Sequence, residues 1–251
     1  MPLIINALIG SLVGIIINYL ADVLPISRNF SQPICLNCGR LFPLKEYLFS
    51  FKCSKCGNKT PLRVIIVLLL SIITSVMLNF FPFGNLNYWA TIPVLIFLGV
   101  ILVIDIEYRV VLKETSYFGL ILLFVYGMLM REGSFSHRLV ITIAGGLAGF
   151  LIMLVLYYLG VLFNKIMGRI RKQEIEEVAL GFGDVYVSAF LGLLTGWPAI
   201  IAVLLLAILA GGVFSMLYIV IMSVFRKYQA FSAIPYAPFL ILAAVAVHYL
   251  L

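Results

Sequence analysis

Two aspartates lie in or at the ends of strongly apolar stretches of this chain. Asp184 follows Gly181 and Gly183 in "LGFGDV", and it is the only charged residue between positions 178 and 197. Asp105 ends the stretch "VLIFLGVILVID". Because a carboxylate in hydrocarbon costs about 2.5–3.5 kcal/mol on insertion scales, a partner group or a function must offset that cost.

A pair of carboxyl groups can hydrolyse a peptide bond. One acts as general base on a water molecule, and the other acts as general acid toward the carbonyl oxygen and the leaving amine. We expect Asp184 near a helix N-terminus, which favours the carboxylate, and Asp105 near a helix C-terminus, which favours the protonated acid. We therefore hypothesise Asp184 as the base and Asp105 as the acid. Gly181 and Gly183 let the backbone bend and approach a ligand closely, which predicts an active-site loop.

All four cysteines lie in one polar stretch, "CLNCGRLFPLKEYLFSFKCSKC". They form two C-x-x-C pairs, Cys35 with Cys38 and Cys53 with Cys56, separated by fourteen residues. Two such pairs supply the four thiolates of a closed, tetrahedral structural Zn²⁺ site, and disulfide bonds are the alternative. A zinc ion whose four positions are all filled by protein would organise the loop and leave no position for water.

The composition is that of a membrane protein. Hydrophobic residues make up 64% of the chain, charged residues 11%, and the mean hydropathy is +1.18, whereas soluble domains carry about 25% charged residues. We predict an all-α polytopic membrane protein of about eight transmembrane helices, with a small cytoplasmic zinc-binding loop domain after the first helix. The eight apolar segments lie near 3–20, 62–81, 89–105, 110–130, 138–162, 184–197, 198–223 and 232–250.

Basic residues orient these spans. With both termini outside, 15 of the 17 Lys and Arg residues fall in cytoplasmic segments, and only Arg131 and Arg138 fall outside. The net charge of +7 is then mostly a signal of topology, with a contribution from anionic lipid, and does not indicate a nucleic-acid partner. The same topology places Asp105 and Asp184 at similar depth on the cytoplasmic side. It also places the cysteines in a reducing compartment, which favours zinc over disulfides.

Small residues in the fifth apolar segment predict close helix packing. Gly145 and Gly149 form a G-x-x-x-G pair, overlapped by Ala144 and Ala148. Residues of this size at this spacing let helix backbones approach closely, so we assign the pair to packing and not to catalysis.

With these motifs in view, the chain resembles the type IV leader peptidase (prepilin peptidase) family of G-x-G-D intramembrane aspartic proteases. The resemblance rests on the two C-x-x-C pairs and on four further segments: "GSLVGIIINYLADVLP" (10–25), "IDIEYRVVLKE" (104–114), "GFGDVYVSAFLG" (181–192) and "IPYAPFLILAAV" (234–245). It implies a multi-pass enzyme of the bacterial inner (cytoplasmic) membrane that removes the basic leader peptide of prepilins or pseudopilins at the cytoplasmic face. The substrate helix and membrane lipid are its partners, and Asp105 and Asp184 its catalytic pair.

The resemblance also implies a division of the chain. Residues 1–20 form the first transmembrane helix, 21–61 a four-cysteine loop that is methyltransferase-like in relatives, and 62–251 the peptidase core. Many relatives N-methylate the new N-terminus with S-adenosylmethionine, which this chain needs only if it retains that activity. Three features depart from the family pattern: Val111-Leu112-Lys113 replaces a Leu-Pro-Asp, Tyr186 replaces a lysine, and "PLRVIIVLLL" lacks an early acidic residue.

Two other functions are compatible with the same residues. One is a non-catalytic membrane scaffold or transporter with a structural zinc loop, in which Asp184 serves packing or ion relay. The other is a member that retains only methyl transfer. Of the three, a scaffold does not need two carboxylates at one depth, so the aspartate pair favours the protease.

Overall fold

The computed structural model describes residues 3–35, 38–41, 55–56, 62–84, 86–171, 181–225 and 235–250. These residues contain eight α-helices and no strand, only an isolated bridge between Ile34 and Leu41. Each predicted apolar segment holds one helix, which confirms an all-helical architecture. In chain order the helices are α1 Leu3–Ser27, α2 Leu62–Phe80, α3 Tyr88–Tyr108, α4 Lys113–Met130, α5 Phe135–Arg171, α6 Phe182–Thr195, α7 Ala199–Val224 and α8 Ala237–Leu250.

Among the described helices, five are long and apolar enough to cross a membrane. They are α1, α2, α3, the Phe135–Ile166 part of α5, and α7. The chain is therefore a multi-pass membrane protein. Helices α6 and α8 are apolar but have only 14 residues each, or about 21 Å at 1.5 Å per residue. Their length is less than the thickness of the hydrocarbon core, and a total of eight spans stays a prediction.

The chain divides into two compact units, Met1–Ile104 and Asp105–Leu251. In the first unit, α1 packs along α2 where Gly10 gives room, because a Cβ there would lie 2.7 Å from the Cα of Ile72. Helix α1 runs to Ser27, seven residues beyond the predicted end of the first span. Near that end Asp22 pairs with Arg63 in the first turn of α2 at 2.5 Å, so an ion pair joins the last part of α1 to the start of α2.

In the second unit, α6 is the central helix, and α4, α5, α7 and α8 pack around it. A helix that is apolar on every side belongs in a core. A Cβ on Gly145 would lie 2.4 Å from the carbonyl oxygen of Gly192, and one on Gly149 would lie 2.3 Å from that of Ser188. The packing role predicted for the G-x-x-x-G pair is confirmed: these glycines bring α5 into backbone contact with α6.

Arg131 binds the C-terminal end of α6. Its guanidinium donates to the carbonyl oxygens of Leu193 at 3.3 Å and Leu194 at 2.9 Å. It also donates to the carbonyl oxygen of Gly127 at 2.6 Å and to the hydroxyl of Thr142 at 2.7 Å. The last carbonyls of a helix have no partner within it, so Arg131 caps α6 and ties it to α4 and α5. Sequence reasoning treated this residue only as an outer-loop charge.

Helix α5 is longer than its predicted apolar segment. The predicted segment ends near position 162, whereas the helix continues to Arg171. Positions 172–180 lie outside the described residues.

Candidate active site

Asp184 lies in the first turn of α6 with its side chain buried, at 7% exposure. Two hydrogen bonds join it to Gly181, the residue before the helix. The Gly181 N–H donates to Oδ2 of Asp184 at 3.1 Å, and the Asp184 N–H donates to the Gly181 carbonyl oxygen at 3.1 Å. A carboxylate at this position accepts an N–H that the helix cannot satisfy. The predicted position near a helix N-terminus is confirmed.

The two glycines of the predicted active-site loop differ from expectation in their backbone. Gly181 has an ordinary φ of −76°, and Gly183 lies inside α6 instead of in a loop. What Gly183 supplies is space: a Cβ there would lie 2.7 Å from the Cβ of Val111. Val111 stands in the segment between α3 and α4 that departs from the family pattern, and its side chain packs directly against the first turn of α6.

Asp105 lies near the end of α3 and is also buried, at 5% exposure. Its Oδ2 accepts a hydrogen bond from the backbone N–H of Ala237, the first residue of α8, at 3.1 Å. Its backbone carbonyl accepts the N–H of Arg109 at 2.9 Å, and the Arg109 side chain is a positive charge that interacts with the Asp105 carboxylate. Arg109 has a φ of 54°, which turns the chain sharply after α3.

Asp105 and Asp184 interact electrostatically, and both carboxyl groups are buried. Each one also accepts an N–H from the start of a helix, Asp184 at α6 and Asp105 at α8. The hypothesis of base and acid assumed that only Asp184 faces a helix N-terminus. Helix ends therefore do not distinguish the two roles.

Sequence reasoning missed Tyr236 and Ala237 as site residues. Tyr236 directly precedes α8 and interacts electrostatically with Asp184, while Ala237 holds Asp105. The signal available in the sequence was the segment "IPYAPFL" (234–240), in which two prolines flank the two residues. Prolines at this spacing restrict the backbone at the start of a helix, but they do not reveal which side chain lies there.

A second candidate site is the cysteine cluster in the first unit. The Sγ atoms of Cys35, Cys38 and Cys56 all lie within 4.8 Å of one another. The Sγ atoms of Cys35 and Cys56 are 3.7 Å apart. Two thiolates on a tetrahedral zinc ion, each 2.3 Å from the metal, lie about 3.8 Å apart. The three cysteines therefore can hold a metal ion and fit zinc. Cys53 lies outside the described residues.

A tight turn presents the first two thiols. The Gly39 N–H donates to the Cys35 carbonyl oxygen at 2.8 Å, and the Cys35 N–H donates to the Arg40 carbonyl oxygen at 2.8 Å. Gly39 has a φ of 68°, where a side chain would be strained. The glycine after the first C-x-x-C pair is thus required by the turn that brings Cys35 and Cys38 together.

A comparison with models of known protein families places part of the chain in one of them. Residues 92–216 match the family model described as the type IV leader peptidase family. The matched range holds Asp105, Asp184, Gly181 and Gly183, whereas the cysteine cluster and Ala237 lie outside it. No curated protein and no solved structure matches the chain significantly.

Proposed function

We propose that this chain, which belongs to the type IV leader peptidase family of peptidases, is a membrane aspartic endopeptidase whose dyad is Asp105 and Asp184. Its substrates are type IV prepilins or pseudopilins, and it removes their basic leader peptide. The observation that carries the proposal is the electrostatic interaction of two buried carboxyl groups, each of which accepts an N–H from the start of a helix.

The buried pair suits peptide hydrolysis because it can hold one proton between two groups. The ionised carboxylate takes a proton from water as the water oxygen bonds to the scissile carbonyl carbon. The protonated carboxyl gives its proton to the carbonyl oxygen, which yields a gem-diol. In the collapse of the gem-diol, one hydroxyl returns its proton to the carboxylate that had given it, which re-forms the carbonyl. The C–N bond breaks, and the leaving nitrogen takes a proton from the carboxyl that had received one from water.

Fixed backbone donors support this chemistry. The N–H groups of Gly181 and Ala237 each hold one carboxylate oxygen, so the carboxyl groups need no rearrangement when substrate binds. The two carboxyl groups lie on α3 and α6, and α8 supplies the N–H that holds Asp105. An ion relay or a packing role makes no comparable demand on both groups together, so the geometry favours the protease over a scaffold or transporter.

The distribution of basic residues supports an active site at the cytoplasmic face of the bacterial inner membrane, with both termini outside. A substrate with a basic leader and a following apolar helix fits this location. Its leader stays in the cytoplasm, and its apolar helix lies in lipid beside the enzyme. The scissile bond between these two parts then falls at the depth of the dyad.

Zinc and methyl transfer are separate parts of the proposal. In our proposal, Zn²⁺ bound by Cys35, Cys38 and Cys56 together with Cys53 organises the 21–61 loop and takes no part in hydrolysis. N-methylation of the new N-terminus with S-adenosylmethionine would use that loop, much of which lies outside the described residues. Mass spectrometry of the cleaved product detects N-methylation as a separate change in the mass of that product.

The experiment compares wild type with Asp105→Asn and Asp184→Asn on a leader-bearing prepilin in membranes. Glu132→Gln, an exposed acidic residue between α4 and α5, is the charge-matched control. We expect the wild type and the control to cut before the apolar segment, and both aspartate variants to be inert while they express and melt as the wild type does. Full activity in either aspartate variant contradicts the dyad. A wild type that is inert on several prepilins and pseudopilins contradicts the substrate assignment.

A further inference from the structure

The ring of Tyr236 has two packing neighbours. It packs against Gly211 of α7, where a Cβ would lie only 3.2 Å from Cε2 of the tyrosine. Its ring centroid also lies 6.3 Å from that of Phe239. Its carbonyl oxygen accepts the N–H groups of Phe239 at 3.0 Å and Leu240 at 3.3 Å, which fixes the residue to the start of α8. The position of the ring is therefore set by packing and by its backbone.

The hydroxyl of Tyr236 is buried and has no hydrogen-bond partner among the described residues. A buried donor without an acceptor costs about 1–3 kcal/mol, and phenylalanine would fill the same space without that cost. Buried tyrosine hydroxyls usually have a hydrogen-bond partner. We therefore expect a bound ligand to supply the acceptor for this hydroxyl.

The groups around the Tyr236 hydroxyl indicate which ligand supplies the acceptor. Tyr236 interacts electrostatically with Asp184, yet the two are not hydrogen-bonded. The next residue, Ala237, donates its N–H to Asp105. Two successive residues therefore each interact with one of the two carboxyl groups, and the phenol O–H has no acceptor among the described residues.

We propose that Tyr236 is a catalytic residue whose hydroxyl donates a hydrogen bond to the carbonyl oxygen of the scissile peptide bond as negative charge develops on it. This inference rests on the proposed aspartic-protease function. The phenol keeps its proton throughout, and all proton transfers stay with water and the two aspartates. Its effect is electrostatic: a positioned donor that becomes stronger in the transition state lowers the barrier without tightening ground-state binding.

Steady-state cleavage by Tyr236→Phe gives the first measurement. Removing a single donor of this kind costs about 10²–10³-fold in kcat where it is the main stabilising group. Because an aspartate also protonates the same oxygen here, we expect a loss of at least about tenfold in kcat with KM within about twofold. Tyr186→Phe is the matched control, since the ring of Tyr186 packs edge-to-face against Phe182 with centroids 5.4 Å apart and phenylalanine preserves that contact.

Two inhibitors separate a catalytic donor from a structural role. One is a substrate peptide with a hydroxyethylene group at the scissile bond, whose hydroxyl mimics the gem-diol oxygen. The other is the same peptide with a reduced CH₂–NH bond and no hydroxyl. In Tyr236→Phe we expect the hydroxyl inhibitor to bind at least about tenfold more weakly and the reduced peptide to bind as in the wild type. A tyrosine that only packs the site would weaken both equally.

The outcomes of these measurements test the role of Tyr236 separately from the proposed aspartic-protease function. Full kcat in Tyr236→Phe, or equal weakening of both inhibitors, overturns the role of Tyr236 while inert aspartate variants leave the protease intact. A wild type that does not cleave removes the proposed function and the inference with it. Selective weakening of the hydroxyl inhibitor, with Tyr186→Phe unchanged, supports the hydrogen bond.

Discussion

The backbone N–H of Ala237 donates a hydrogen bond to Oδ2 of Asp105 at 3.1 Å, although 132 residues separate the two in the chain. Both residues are buried. The first residue of α8 thus fixes the orientation of a carboxyl group near the end of α3. Because the donor is a backbone group, any side chain at 237 leaves it in place except proline.

Ala237→Pro should reduce cleavage while Ala237→Gly should not. Proline removes the N–H but suits the first position of a helix, whereas glycine keeps the N–H and adds no bulk. A hydrogen bond to a charged group contributes about 1.5–3 kcal/mol, so we expect kcat/KM of the proline variant to fall by roughly 10- to 150-fold. The measurement is prepilin cleavage by both variants, each checked by its melting temperature in detergent.

Equal activity of the proline and glycine variants at equal melting temperature would show that Asp105 does not depend on this donor. A proline variant that melts far below the glycine variant would instead assign the contact to stability.

Gly183→Ala should misplace Asp184 through a clash with Val111. A Cβ on Gly183 would lie 2.7 Å from the Cβ of Val111, and such overpacking costs about 1–3 kcal/mol. The next residue is Asp184, and a displacement of 1 Å at a catalytic group can cost about 10²-fold in rate. We expect Gly183→Ala to lose at least about tenfold in kcat. Adding Val111→Gly, which removes the clashing atoms, should restore most of it.

Gly160→Ala is the control for this pair of variants, because a Cβ at Gly160 in α5 meets nothing within 4 Å. It should leave activity and melting temperature unchanged. If Gly183→Ala and Val111→Gly combine additively in a double-mutant cycle, the two residues are not coupled and the clash is not the cause.

The positions of the helices could be predicted from sequence because hydrocarbon imposes a simple rule. Apolar runs bounded by charged or turn residues mark the segments that fold as helices, and Asp184 follows its glycines at the start of one of them. The ends are less determined. Helix α1 runs on to Ser27 and α5 to Arg171, since hydropathy falls where a helix leaves the apolar phase but its hydrogen bonds continue.

The contacts of the site could be predicted only in part. Topology implied that Asp105 and Asp184 lie at one depth, which is a necessary condition for their meeting. It could not reveal the N–H of Ala237 because backbone donors carry no sequence signature. Gly183 suggested a bent loop, yet its lack of a side chain serves Val111. The sequence shows that residue 183 has no side chain, but only the fold shows that Val111 occupies the space beside it.

Arg131→Lys should destabilise the second unit. The guanidinium of Arg131 donates to the carbonyls of Leu193 and Leu194 and to the hydroxyl of Thr142. A single ammonium group cannot reproduce this planar set of donors. Each buried acceptor left without a donor costs about 1–3 kcal/mol. At roughly 2–4 °C per kcal/mol for a chain of this size, we expect the apparent melting temperature in detergent to fall by about 4–8 °C.

Arg138→Lys is the matched control, since Arg138 donates a hydrogen bond to the carbonyl oxygen of Met128 at 3.3 Å and does not cap α6. It should lower the melting temperature by far less than Arg131→Lys. Equal effects of the two variants would mean that the loss of the guanidinium itself, and not the cap on α6, matters.

The cysteine cluster should bind one zinc ion per chain. Cys35→Ser should remove it, because a neutral hydroxyl replaces a thiolate whose Sγ is 3.7 Å from that of Cys56. The measurement is metal content by mass spectrometry of protein purified without added zinc, together with thiol counts after chelation. We expect wild type to carry close to one zinc and to expose its thiols only when the metal is removed.

Peptidase activity separates the two roles that such a metal can take. If zinc is structural, chelation should lower the stability of the loop but leave the first-order cleavage rate of folded enzyme within about twofold, because hydrolysis uses the aspartates of the other unit. Asp105→Asn should conversely keep its full zinc content while it loses cleavage. Loss of both zinc and cleavage in Cys35→Ser, with a native melting temperature, would contradict a purely structural metal. It would show that hydrolysis requires the ion.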